Sequence, residues 1–156
     1  TLTEWCAERD MDLTWIEVMP MGDIGNEDRL GQYWKLNDLR AQLGRHYTLT
    51  DLPESTGGPA RYYDVAETGT RLGLITPLTE NFCAGCNRIR IAATGTVYGC
   101  LGHDQKVELR DIIRGGGEEA LDTALDPLLA GKPLRHDFDI ARREPALARH
   151  MSVTGG

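Results

Sequence analysis

No stretch of this sequence approaches the ~18 consecutive apolar residues that a membrane-spanning helix needs, which excludes a helical span. Basic charge is also short, with 17 Lys and Arg against 24 Asp and Glu and a net charge of −7. That balance argues against a general nucleic-acid binder, which displaces counterions with a broad basic surface. There is no internal repeat and no low-complexity segment. A charged-then-apolar leader is missing too, so nothing marks the chain for secretion and it reads as cytoplasmic. The chain opens at Thr1 without a Met, on a polar amphipathic stretch that runs straight into an apolar one. This reads as the middle of an α/β protein, with an N-terminal part expected to be missing.

What remains is 156 residues, 40% hydrophobic and 26% charged, the balance of one globular domain or the larger part of one. The charge is unevenly spread. Residues 83–114 carry 5 basic against 3 acidic side chains, and residues 132–156 again carry 5 against 3. Either locally basic segment suits an anionic small molecule.

Residues 2–10 have helical composition, and Leu13 to Met19 is apolar and β-branched enough for a buried strand closed by Pro20. Gly22 to Gly31 reads as a loop. Leu36 to Leu43 has helical spacing, with Asn37 or Asp38 near its start and Gly44 at its end. From Tyr47 onward, the runs YTLTDL, RYYDVAE and TRLGLIT are short and β-rich, separated by proline and glycine, and predict antiparallel strands. Arg88 to Ala93 and Thr96 to Leu101 flank Thr94-Gly95, a hairpin signal. Glu108 to Arg114 and Glu118 to Leu129 predict two helices separated by Gly115-Gly116-Gly117. The triple glycine follows a helix and lacks a Lys-Ser/Thr partner, so it reads as a helix stop rather than a phosphate loop.

Three of the four cysteines stand in a C-x2-C-x13-C pattern at Cys83, Cys86 and Cys100. A two-residue gap lets two thiolates face one centre, with Gly85 expected to relieve crowding in the ligand loop. The hairpin returns the third sulfur alongside. A reducing compartment disfavours disulfides, which leaves a metal or cluster site as the expectation. A structural zinc would take a fourth ligand from His103 or Cys6. A cubane iron–sulfur cluster can instead be held by three thiolates with one iron open. The second case suits three cysteines followed by Arg88 and Arg90, which alternate on the strand leaving Cys86 and so share a face.

The run from Gly73 through Cys83-Ala-Gly-Cys86-Asn-Arg88-Ile89-Arg90 to Tyr98-Gly-Cys100-Leu resembles the C-terminal cluster region of the GTP 3′,8-cyclases. These are radical S-adenosylmethionine (SAM) lyases of molybdenum cofactor biosynthesis. Trp15-Ile-Glu-Val-Met19-Pro-Met-Gly22 resembles the family's last barrel strand, and Gly155-Gly156 resembles its terminal tail.

The resemblance implies an α/β fold, α+β as an isolated fragment. Residues 1–44 would be the last strand and helix of an incomplete (βα)6 TIM-type barrel. Residues 45–156 would be a C-terminal antiparallel β region with an iron–sulfur loop, C-terminal helices and the Gly-Gly tail. It further implies that Cys83, Cys86 and Cys100 hold a 4Fe-4S cluster whose open iron binds GTP, and that Arg88, Ile89 and Arg90 line the GTP site. Met19 would pack against SAM, and Gly155 and Gly156 would reach into the active-site cavity. SAM and another 4Fe-4S cluster, held by a Cys-x3-Cys-x2-Cys, belong to the full-length enzyme. Only Cys6 remains outside the trio here, so the chain alone is expected to be inactive. Thr14 stands where some relatives carry an Arg.

The implied partners are GTP and the missing N-terminal barrel. A homodimer is expected, with no nucleic acid and no membrane. The competing expectation is a zinc- or cluster-stabilised binding module without catalysis.

Overall fold

The computed structural model describes residues 1–22, 29–53, 57–142 and 145–154. They form two compact units, one of Thr1–Met19 with Arg29–Phe82 and the other of Pro20–Asp28 with Cys83–Gly156. The fold is mixed, with helices around one four-stranded sheet and one three-stranded antiparallel sheet. Among the described residues no helix is long and apolar enough to cross a membrane.

In the first unit, α1 (Leu2–Ala7) is capped by the Thr1 hydroxyl and is shorter than the expected 2–10. Strand β1 (Leu13–Ile16) follows, then a short α2 (Arg29–Gln32) and α3 (Leu36–Leu43). Strands β2 (Leu49–Leu52), β3 (Arg61–Val65) and β4 (Thr70–Ile75) complete the sheet, in the order β1-β4-β3-β2. The pairings β2 with β3 and β3 with β4 are antiparallel, as the sequence predicts, while β1 joins β4 in parallel. Parallel neighbours need a long crossover, and the chain between β1 and β4 provides it. The sheet therefore spans residue 44, with β1 before that position and β4 after it.

Alternation along the strands sends Leu72, Leu74, Tyr63 and Val65 to one face, where they pack against Leu36 and Leu39 of α3. On the other face Gly73 is required by close approach, since a Cβ there would stand 2.6 Å from the Thr14 hydroxyl. Asp12 accepts from the Arg71 backbone N–H at 3.0 Å and from its guanidinium Nε at 2.9 Å. Arg71 thereby holds the Asp12 carboxyl below its usual range.

Glu17 is 2% exposed. Its carboxylate accepts from the backbone N–H groups of Leu36 at 3.3 Å, Leu78 at 2.8 Å and Thr79 at 3.1 Å, and from the Thr79 hydroxyl. Lys35, at the N-cap of α3, makes no side-chain cap bond. The helix start is thus supplied by Glu17 at the end of β1, rather than by Asn37 or Asp38, and the same carboxylate pins the turn at 76–80.

In the second unit β5 (Arg90–Ile91), β6 (Thr96–Tyr98) and β7 (Lys106–Glu108) form an antiparallel sheet in that order. The expected hairpin turns at Thr94-Gly95, where Gly95 has φ +86° and the Arg110 side chain lies against it. Helix α4 (Leu109–Ala130) breaks at Gly117, with φ 68° and ψ −157°, so it comprises the two predicted helices end to end. Val97, Leu109 and Leu128 form the core of this unit. Near the C-terminus Leu147 pairs with Met21 in a parallel bridge, and its carbonyl accepts from Gly22 N–H at 2.8 Å. A 3-10 turn, Met151–Thr154, follows. Gly155 and Gly156 lie outside the described residues.

Candidate metal centre

Cys83 and Cys86 stand at the start of one 3-10 turn, Cys83–Gly85, and at the residue that follows it. The Cys86 N–H closes the turn on the Cys83 carbonyl at 3.0 Å. A Cβ at Gly85 would meet open space and its φ is not positive, so the glycine does not relieve crowding as the sequence led us to expect. Cys100 follows β6 and Gly99 and opens the turn that leads to β7. All three sulfurs are free thiols on partly buried residues.

Two cations face Cys86. The Arg88 guanidinium donates to its Sγ at 3.5 Å, and Lys132 Nζ lies 3.7 Å from that sulfur while donating to the Arg88 carbonyl at 2.6 Å. Burial by itself pushes the Cys86 thiol up, but the Arg88 N–H, the Arg88 guanidinium and the Lys132 charge outweigh it and leave the thiol below its ordinary value. Cys100 goes the other way. Burial raises it and the charges of Cys83 and Cys86 add to the rise, against the Gly102 N–H at 3.4 Å and the Lys132 charge. Among the described residues no group of three His, Cys, Asp or Glu side chains is gathered as ligands for one metal ion.

The other sequence candidates fall as follows. Arg88 and Arg90 are half-buried while Ile89 and Ile91 are exposed, and of these arginines only Arg90 lies within a strand, β5. Arg90 is opposite Tyr98 in the sheet. Met19 is half-buried at the end of the first unit's opening segment. Of the two residues considered as a fourth zinc ligand, Cys6 is buried on α1 in the first unit, and His103 has its Nε2 3.1 Å from the Arg135 carbonyl. Sequence reasoning missed Lys132 and Arg149, although both lie in the locally basic segment 132–156.

Residues 11–138 match the family described as Molybdenum Cofactor Synthesis C, and the chain belongs to that family. Within it, the chain is 54% identical over 158 residues to the GTP 3′,8-cyclase of Paracoccus denitrificans, covering 99% of this chain and 46% of that protein. It is 55% identical over 159 residues to the GTP 3′,8-cyclase of Rhodopseudomonas palustris strain TIE-1, covering 100% of this chain and 46% of that protein. The Nitrobacter hamburgensis GTP 3′,8-cyclase is likewise 55% identical over 158 residues, with 100% and 46% covered. The chain therefore spans less than half the length of these curated relatives.

Proposed function

We propose that this chain is the substrate-side portion of a radical SAM GTP 3′,8-cyclase acting in molybdenum cofactor biosynthesis, and that Cys83, Cys86 and Cys100 hold a 4Fe-4S cluster beside the GTP site. The observation that carries the reading is the placement of Cys83 and Cys86 on one 3-10 turn, with Arg88 and Lys132 against the Cys86 sulfur and all three thiols free. The donor set fits the group. Three thiolates suffice for a cubane, each binding a different iron, whereas a structural zinc needs a fourth ligand, and Cys86 has two cations beside it. The adjacent cations offset the charge of a thiolate-bound cluster.

A cluster held by Cys83, Cys86 and Cys100 would supply an open iron position for a polar group of GTP. The chain's own part is to bind and orient. Arg88 and Arg90 grip polar groups of GTP, Ile89 lines the same site, and Met19 packs against SAM. The cysteines that would cleave SAM are not in this sequence, so the activity belongs to the assembled enzyme and the chain alone is inactive. Free thiols agree with a cytoplasmic location.

In the four-stranded sheet β1 has β4 on one side and no further strand among the described residues on the other. Ile16 is 51% exposed and Val18 37% exposed at this edge. The N-terminal barrel covers it in the whole enzyme, and a second copy covers it when the chain is alone. Sedimentation should show a dimer at high concentration, and a monomer throughout would contradict the pairing.

Arg90→Ala tests the substrate assignment. GTP binding to the iron-loaded chain should weaken about 10-fold, as for loss of one charged hydrogen bond, with iron content unchanged. Unaltered GTP affinity would remove Arg90 from the site.

A further inference from the structure

The turn that carries Cys100 is closed by a side chain from the far end of the sequence. Arg149 is 11% exposed at its side chain. Its Nη2 donates to the carbonyls of Leu101 at 2.8 Å, Cys100 at 3.4 Å and His103, and its Nη1 pairs with the Asp104 carboxylate. The guanidinium lies over the Tyr98 ring at 4.5 Å, so the residues on both sides of Gly99-Cys100 are held by one planar group. Among the described residues no backbone N–H donates to the Cys100, Leu101 or His103 carbonyls, and the nearest backbone closure is the long Gly99 to Gln105 bond at 3.4 Å. Arg149 itself is anchored. Two residues earlier Leu147 pairs with Met21, and two residues later the 3-10 turn begins that ends in the fully buried Thr154. Its buried Nε has no acceptor among the described residues, so the side chain is held by its terminal nitrogens and the ring.

We propose that Arg149 is the positioning residue for the third cysteine: its guanidinium closes the Cys100–Asp104 turn and fixes where the Cys100 thiol stands. The geometry is independent of any bound group, and the consequence for cluster assembly rests on the cluster reading above. A planar fork that serves several carbonyls, a carboxylate and a ring face at once is a task for arginine, and lysine retains the charge and only part of the bonding. The segment preceding the Gly-Gly tail is thereby tied to the third cysteine's loop.

The test uses the full chain, reduced and metal-free under anaerobic conditions, with iodoacetamide labelling read cysteine by cysteine by mass spectrometry. In Arg149→Gln, Cys100 should label about 10-fold faster relative to Cys83 and Cys86, as expected for loss of charge-assisted bonds, and Arg149→Lys should be intermediate. Asp104→Asn, at a side chain 79% exposed, should shift Cys100 the same way by about 2-fold, which keeps the test usable if Arg149→Gln does not fold. After reconstitution with iron and sulfide, Arg149→Gln should lose its cluster about 10-fold faster with an altered reduced-state electron paramagnetic resonance signal, which Arg149→Lys partly restores. Unchanged relative labelling of Cys100, or equal acceleration of all three cysteines, would overturn the proposal. Wild-type chain that takes up no iron and sulfide would refute the cluster reading, while the labelling pattern would still decide the role of Arg149.

Discussion

Cys86 and Cys100 differ in what faces their sulfurs, and the difference follows from chemistry a few ångströms away. Burial raises both thiols, but Cys86 has the Arg88 N–H and guanidinium with Lys132 to outweigh it, whereas at Cys100 the Gly102 N–H and Lys132 do not. A ligand set must be fully deprotonated before it binds metal, so on the proposed cluster reading Lys132 would favour the bound state of Cys86 without itself being a ligand. Lys132→Met should weaken cluster retention about 10-fold, as for loss of an outer-shell partner, and should make the cluster harder to reduce because a positive charge is gone. Iron release to a chelator and a redox titration measure the two effects, and unchanged values would exclude the role. The placement of Cys83 and Cys86 on one turn was legible because it is a local spacing. Lys132 and Arg149 were not, since Lys132 meets Cys86 across 46 residues and Arg149 meets the Leu101 carbonyl across 48. No local pattern encodes such contacts.

Among the elements, most of the strands and helices could be read because their signals are periodic or are punctuated by Gly and Pro. Leu36 to Leu43 matches α3 and the Gly117 break separates the two predicted helices of α4. The three-residue β7 was absorbed into the expected helix start at Glu108 because it is too short to show an alternation. The parallel pairing of β1 with β4 and the capping of α3 by Glu17 were also hidden, since both depend on residues brought together across the crossover. Glu17 ties β1, α3 and the 76–80 turn through one carboxylate. Glu17→Ala strands three N–H donors in a buried site and should destabilise the fold by about 3 kcal/mol or more. Glu17→Gln keeps an acceptor and should cost about half as much. Denaturant unfolding measures both, and a loss within ~0.5 kcal/mol for Glu17→Ala would show that the carboxylate is not the tie described here.

For the whole molecule, the chain divides its tasks between two units. In the first, β1 ends the four-stranded sheet among the described residues, and the second carries Cys83, Cys86 and Cys100 with Arg88 and Lys132. Sequence alone pointed to the second unit's cysteines and locally basic segments, while the parallel placement of β1 at the end of the first sheet had no local signal. The family membership covers both units, since residues 11–138 extend from β1 past α4. The central claim is that Cys83, Cys86 and Cys100 carry a cluster to which GTP binds. Anaerobic reconstitution with iron and sulfide, followed by metal analysis and a GTP titration of the reduced cluster's electron paramagnetic resonance, tests it most directly. About four irons per chain with a GTP-dependent spectrum is the predicted result; zinc in place of iron, or a spectrum blind to GTP, would contradict it.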